Sequence, residues 1–299
     1  MSGFRAGAPV VAGVDGSDSA LEAVRWAARE AARRGSPLRL VNAFGWMSTE
    51  RVTDPGLGDS YREVLLDAAR DEVARAAAAA TETAPGVQID RQVSSGYPVA
   101  VLTNESASAQ LVVVGNRGLG GFSGLLAGSV AIALAAHAAC PVVVVRDGED
   151  GHSPEDGPVV VGVDGSALSE AALAFAYAAA DARRVPLVAV HAWHDLLVDP
   201  TMAPLLDWPA IEADERLQLA ERLAGWGEKY PDVVVQRLVT RDRPARALVE
   251  ESGRAQLVVV GSRGRGGMKG LMLGSVSQAL LHHSVCPVAI VRPTDDGTA

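Results

Sequence analysis

Hydrophobic positions along the chain come in short β-branched runs separated by longer Ala-rich stretches with helical spacing, the alternation expected of βαβ units around a parallel sheet. In the first half the runs predict strands near 9–14, 38–43, 87–93, 110–114 and 141–146; in the second half, near 158–163, 187–192, 233–239, 256–260 and 287–292. Runs such as Val112-Val113-Val114 are apolar at consecutive positions and therefore on both faces, as a strand covered by helices on both sides requires. Ser19-Ala-Leu-Glu22 has the spacing of a capping box and is expected to open the first helix. Right-handed crossovers then give an α/β fold of two tandem doubly wound, Rossmann-like domains, each with a five-stranded parallel sheet.

The pattern occurs twice because the sequence does. AQLVVVGNRGLGGFSGLLAGSV at 109–130 and AQLVVVGSRGRGGMKGLMLGSV at 255–276 agree at 16 of 22 positions without a gap. PVVAGVDGS at 9–17 pairs with PVVVGVDGS at 158–166, and CPVVVVR at 140–146 with CPVAIVR at 286–292. A period of this size is a whole domain rather than a solenoid unit. The acidic, Gly- and Pro-containing segment DGEDGHSPEDGP at 147–158 reads as the linker, so the domains are expected at 1–152 and 153–299. The last run of each half would be a sheet edge that invites a further strand, and the two edges of one chain are expected to satisfy each other.

Composition narrows the function classes. The 299 residues carry a formal charge of -9 with no basic run, which argues against a nucleic-acid partner. No stretch has the length and apolarity of a membrane span, and the first residues lack the pattern of a secretory signal; a cytoplasmic location is expected. Cys140 and Cys286, each before a proline and an apolar run, read as matching core positions. Among the six histidines, His191 and His194 leave a strand, and His282 and His283 lie near a helix end, so no metal site is expected.

The chemistry concentrates where two strands of each half should end. Strand one closes in Val-Asp-Gly-Ser, placing Asp15 and Asp164. Strand four closes in Gly-x-x-Gly-(x)9-Gly-Ser: Gly115, Gly118, Gly128 and Ser129, then Gly261, Gly264, Gly274 and Ser275. Glycines let backbone amides approach phosphate oxygens, and Gly-Ser at the next helix start adds unpaired amides, a hydroxyl and the positive end of the helix dipole. Arg117 and Arg263 could add a cation. The two aspartates either line that pocket or serve as Asx turns starting the helix. There is no Gly-x-x-x-x-Gly-Lys-Ser/Thr loop and no Gly-x-Gly-x-x-Gly after strand one, which argues against a Walker ATPase and an NAD enzyme.

These loops, the Val-Asp-Gly-Ser ends and the closing Cys-Pro-Val runs resemble the ATP-binding subgroup of the universal stress protein family, in the tandem arrangement common in actinobacteria. The resemblance implies ribose and phosphate contacts from Gly115, Asn116, Arg117, Gly118, Leu119, Gly120 and Gly121, and from Ser129 and Val130. In the second copy it implies Gly261, Ser262, Arg263, Gly264, Arg265, Gly266 and Gly267, with Ser275, Val276 and Ser277. Gly13 and Gly162 would lie under the nucleotide, backbone groups near Val41 and Val190 would hold the adenine, and Asp195 would face the ligand, where copy one offers Trp46 and Met47. It also implies ATP as the ligand and association into a homodimer. Asp15 or Asp164 could hold Mg²⁺, but the first loop has no lysine, so a binding regulator rather than an enzyme is expected; the alternative is a slow ATPase or phosphoryl-transfer enzyme. Copy two carries Arg265 and Lys269 where copy one has Leu119 and Ser123, so its site is expected to bind ATP more tightly.

Overall fold

A computed structural model describes residues 7–45, 55–118, 127–146, 156–193, 206–265 and 273–292, with only the helical backbone at 55–61. The chain divides into two compact units, Met1–Asp147 and Gly148–Ala299. The first runs β1 (Val10–Val14), α1 (Asp18–Arg34), β2 (Leu38–Phe44), α2 (Pro55–Thr83), β3 (Ile89–Ser95), α3 (Pro98–Ser106), β4 (Leu111–Gly115), α4 (Ser129–His137) and β5 (Val142–Val145). The second runs β6 (Val159–Gly162), α5 (Ala167–Arg183), β7 (Leu187–Trp193), α6 (Trp208–Leu223), the one-turn α7 (Trp226–Lys229), β8 (Val235–Arg241), α8 (Pro244–Ser252), β9 (Leu257–Gly261), α9 (Ser275–His283) and β10 (Val288–Val291).

Within the first unit the parallel strands lie in the order β3-β2-β1-β4-β5, with Val10 opposite Leu38 on one side and Leu111 on the other. Within the second the equivalent order is β8-β7-β6-β9-β10, with Val159 between Leu187 and Leu257. The chain therefore leaves the central strand to one side first and crosses to the other afterwards, which opens a crevice beyond the carboxyl ends of β1 and β4, and of β6 and β9. The central strands are buried up to their carboxyl ends: Val10, Val11, Ala12, Val159, Val160 and Val161 have no exposed surface, while Gly13 and Gly162 are partly exposed.

Two sequence expectations shift. The first helix is capped by Ser17, whose Oγ accepts from the Ala20 amide at 3.2 Å, while Ser19 lies inside the helix and donates to Asn116 Oδ1 at 2.9 Å. Asp15 decides this: its Oδ1 accepts from both the amide (3.0 Å) and hydroxyl (2.6 Å) of Ser17 and holds that residue in the extended cap conformation. The third strands begin two residues later than the apolar runs suggested, at Ile89 and Val235, because pairing to Leu38 and Leu187 sets their start. Each ends its own unit's sheet and is partly solvated, so its polar second half gives no apolar signal.

A buried serine ties two helices together at the far end of each unit. Ser106 Oγ, at the end of α3, donates to Thr103 O and accepts from the Ala139 amide just past α4 at 2.8 Å. Ser252 repeats this with Val249 O and the Val285 amide at 3.1 Å. Cys140 and Cys286 follow directly, buried and unbonded to each other.

Candidate functional site

Each unit builds its crevice from three pieces. The first is the turn after the central strand. Asp15 accepts from Ser17, and Asp164 accepts in the same way from the Ser166 amide (2.9 Å) and hydroxyl (2.6 Å). The intervening Gly16 and Gly165 have φ of +84° and +75°, a conformation that side chains with a Cβ resist. Burial pushes the Asp164 carboxyl up, but hydrogen bonds from the hydroxyl and amide of Ser166, the Arg265 amide and the Ser169 hydroxyl outweigh it and hold the group below the usual carboxylate range.

The second piece is the glycine-rich exit of β4 and β9. A Cβ on Gly115 would fall 2.4 Å from Ser19 Oγ, and one on Gly261 3.0 Å from the Leu168 Cβ, so the strand end sits directly on α1 or α5. One turn further, a Cβ on Gly118 would lie 2.6 Å from Asp15 Oδ2 and one on Gly264 2.4 Å from Asp164 Oδ2. Neither glycine has a positive φ. What the sequence demands of them is close approach to a carboxylate, not left-handed backbone. In the second unit the Arg265 amide donates to Asp164 Oδ2 at 2.9 Å.

The third piece is a helix start. The Gly128 amide donates to Asn116 O at 2.7 Å and the Gly274 amide to Ser262 O at 2.8 Å, which bends the chain back onto the loop. Gly128 and Gly274 are the N-caps of α4 and α9 and supply no side-chain cap. The first-turn amides of Ser129, Val130 and Ala131, and of Ser275, Val276 and Ser277, therefore have no intrahelical partner, and all six residues line the crevice.

These pieces enclose a cavity of about 520 Å³ in the first unit and about 400 Å³ in the second. Of the residues singled out in the sequence, Gly13, Asp15, Val41, Gly115, Arg117, Gly118, Gly128, Ser129 and Val130 line the first. Gly162, Asp164, Val190, Gly261, Arg263, Gly264, Arg265, Gly274, Ser275, Val276 and Ser277 line the second. Asn116 and Ser262 do not: both are buried, and Asn116 accepts from Ser19 beneath the loop. The Ser277 hydroxyl is turned to Gly261 O at 2.8 Å. Leu119, Gly120, Gly121, Asp195, Gly266 and Gly267 lie outside the described residues, as do Trp46, Met47, Ser123, His194 and Lys269. Among the described residues no three metal-ligating side chains cluster, and no helix is long and apolar enough to cross a membrane.

The apolar wall was missed in the sequence. Pro98 and Leu102 from α3 line the first cavity and Pro244 and Leu248 from α8 the second, together with Ala43 and Ala192. Leu102 packs under Gly13, where an added Cβ would stand 3.1 Å from its Cδ1; at Gly162 the distance to Leu248 is 2.9 Å. The signal was present: Pro-x-x-x-Leu recurs in both copies after the third strand and places its two apolar residues one helical turn apart.

The two sites differ most in charge over the first-strand turn. In the first unit the Glu72 carboxylate of α2 lies over Gly16, 2.9 Å from where a Cβ would be, and accepts from Asn42 Nδ2 at 2.8 Å. In the second unit His191 stands where β2 has Asn42; its Nδ1 meets Val163 O at 2.8 Å and its Nε2 meets Glu215 of α6 at 2.7 Å. The space over Gly165 is instead taken by Arg265, with Arg222 of α6 beside it.

The model of the Universal stress protein family matches residues 8–146 and 157–292, one match for each unit. Universal stress protein Rv2623 of Mycobacterium tuberculosis is 42% identical over 303 residues, covering 98% of this chain and 99% of its own. Universal stress protein Mb2028c of Mycobacterium bovis is 43% identical over 292 residues, covering 95% of this chain and 96% of its own. Among solved structures, a universal stress protein from Archaeoglobus fulgidus superposes with a TM-score of 0.69 at 19% identity, covering 97% of this chain and 99% of that one; this likeness concerns the fold.

Proposed function

The chain belongs to the universal stress protein family, with two family domains in tandem, and from the geometry of its two cavities we propose that each domain binds ATP and that the protein is a nucleotide-responsive regulator. The observation that carries this reading is the meeting, twice over, of an uncapped helix N-terminus and a glycine loop in the lining of one cavity that also has an apolar wall. Amides with no intrahelical partner and the positive end of a helix dipole suit phosphate oxygens. The slot between Val41, Ala43, Pro98 and Leu102, repeated as Val190, Ala192, Pro244 and Leu248, suits the flat apolar faces of a purine. Cavities of this size fall within the roughly 300–1,000 Å³ of small-molecule sites.

Mg²⁺ carried by the triphosphate would meet the carboxylate of Asp15 in the first site. In the second, Asp164 Oδ2 already accepts from the Arg265 amide, so the metal would share that oxygen or bind the phosphates alone. Neither aspartate stands apart as a general base: each is engaged by its own turn through Ser17 or Ser166. Binding with little or no hydrolysis follows as the proposed activity, and association of two chains into a homodimer belongs to the same reading.

Mass spectrometry of freshly purified, then denatured, protein tests the ligand directly; ATP at up to two per chain is expected, and its absence together with no binding in titration would refute the proposal. Steady-state ADP release addresses the alternative. Turnover faster than about one per second lies in the ordinary enzyme range and would make this an ATPase.

A further inference from the structure

The glycine that follows the first-strand aspartate is overlaid by opposite charges in the two domains. Over Gly16 stands the Glu72 carboxylate. Over Gly165 stand two guanidinium groups: Arg265 Nη2 lies 2.2 Å and Arg222 Nη2 3.4 Å from the same Cβ position, so the two nitrogens are separated by no more than the sum of those distances. Among the described residues Arg222 pairs with one carboxylate, Glu170 at 3.4 Å, and both of these side chains are over a third exposed. Arg265 has no ion pair among the described residues and itself lines the second cavity. Glu215, the glutamate that meets β7 as Glu72 meets β2, is drawn away to His191 Nε2 and does not compensate them. Two like charges brought together over a turn call for an anion, and planar guanidinium groups match phosphate oxygens in pairs.

We propose that Arg222 and Arg265 form a clamp by which the second site reads the length of the phosphate tail, while the first site, with Glu72 at that position, discriminates little between nucleotides of different charge. This rests on the nucleotide reading above. The recognised chemistry is the outer phosphates of a nucleoside polyphosphate. In this reading the phosphate nearest the ribose rests at the start of α9 and the outer phosphates of a triphosphate, which a monophosphate lacks, engage the clamp. Repulsion from Glu72 works against the same extension in the first site. The chain would then carry one site selective for the triphosphate and one responding to total adenine nucleotide.

The test is calorimetric titration of the full-length protein with ATP, ADP and AMP, at low and moderate salt. Arg222→Ala/Arg265→Ala should lower the ATP-to-AMP affinity ratio of the second site by about tenfold or more, the effect of losing one charge-assisted contact, and should flatten its salt dependence. Arg222→Lys/Arg265→Lys, which keeps the charge without the planar fork, should lie between. Glu72→Gln should raise the ratio at the first site. A Gly118→Ala background, in which the first loop is obstructed, assigns the signal to the second site. An unchanged ratio in both arginine double variants overturns the clamp while leaving nucleotide binding in place; no binding of any of the three nucleotides by the unaltered protein overturns both.

Discussion

Gly118→Ala and Gly264→Ala probe the cradle at its tightest point. The new Cβ would sit 2.6 Å from Asp15 Oδ2 or 2.4 Å from Asp164 Oδ2, closer than the 3.0 Å below which something has to shift. Because neither glycine has a positive φ, the backbone itself tolerates alanine and the whole effect is steric. Relief requires either that the aspartate swing off its turn, giving up the Ser17 or Ser166 bonds, or that the loop back away by several tenths of an ångström. Either movement alters the distance between the carboxylate and the loop amides, and so disturbs the cradle that phosphate would meet. Losing one charge-assisted contact costs about 1.5–3 kcal/mol, or roughly ten- to a hundredfold in Kd. The same shift leaves the core strands in place and should cost under about 1 kcal/mol of stability, roughly 2–4 °C in Tm for a domain of this size. Calorimetric binding beside thermal melts of each variant checks both numbers. Unchanged nucleotide affinity in the double variant would refute the argument, and so would a fall in Tm large enough to account for lost binding by unfolding.

Other substitutions follow from the same geometry. Ser166→Ala removes the α5 cap and the hydroxyl that donates to Asp164, leaving the backbone donors in place, and should cost about 0.5–2 kcal/mol at neutral pH by urea denaturation. The Asp164 carboxyl titrates below its ordinary 3.8 in the folded state, so its stabilisation is full above that value and is lost as pH falls through the lower folded pKa; the gap between variant and parent should narrow below about pH 4 and stay flat above pH 5. Gly16→Ala, forced into φ +84°, should destabilise by about 1–2 kcal/mol in the same assay without needing any ligand. Leu248→Ala opens the floor under Gly162 and should cost about 2–5 kcal/mol, whereas Gly162→Val drives its side chain into Leu248 and Val260 and should remove binding at the second site together with about 1–3 kcal/mol of stability, read by titration beside a thermal melt.

Much of this was legible in the sequence because the informative residues are local. Ten apolar runs marked ten strands, and the glycine spacing located both loops, since backbone approach cannot be achieved with other residue types. The cap was misassigned within Asp-Gly-Ser-Asp-Ser because Ser17 and Ser19 both offer a hydroxyl, and only the carboxylate of Asp15 chooses between them. The edge strands were shifted because an element half in water carries half the hydrophobic signal. Least visible was the contrast between Glu72 and the Arg222–Arg265 pair. It joins residues from a strand exit, a loop and a distant helix, and the substitution that sets it up, His191 for Asn42, is read only once its reach to Glu215 is known.

The buried serines at the ends of α3 and α8 make those helices mechanical partners of α4 and α9. One helix of each pair carries the apolar wall of the cavity and the other presents its amides to it. At the far pole, Ser106 grips the chain beyond α4 and Ser252 the chain beyond α9. A push along the axis of α4 has to stretch that 2.8 Å hydrogen bond or drag α3 with it. A ligand seated at the start of α4 is thereby tied, through this one bond, to the helix that forms the cavity wall, at a point beside Cys140, just before the last strand of the domain.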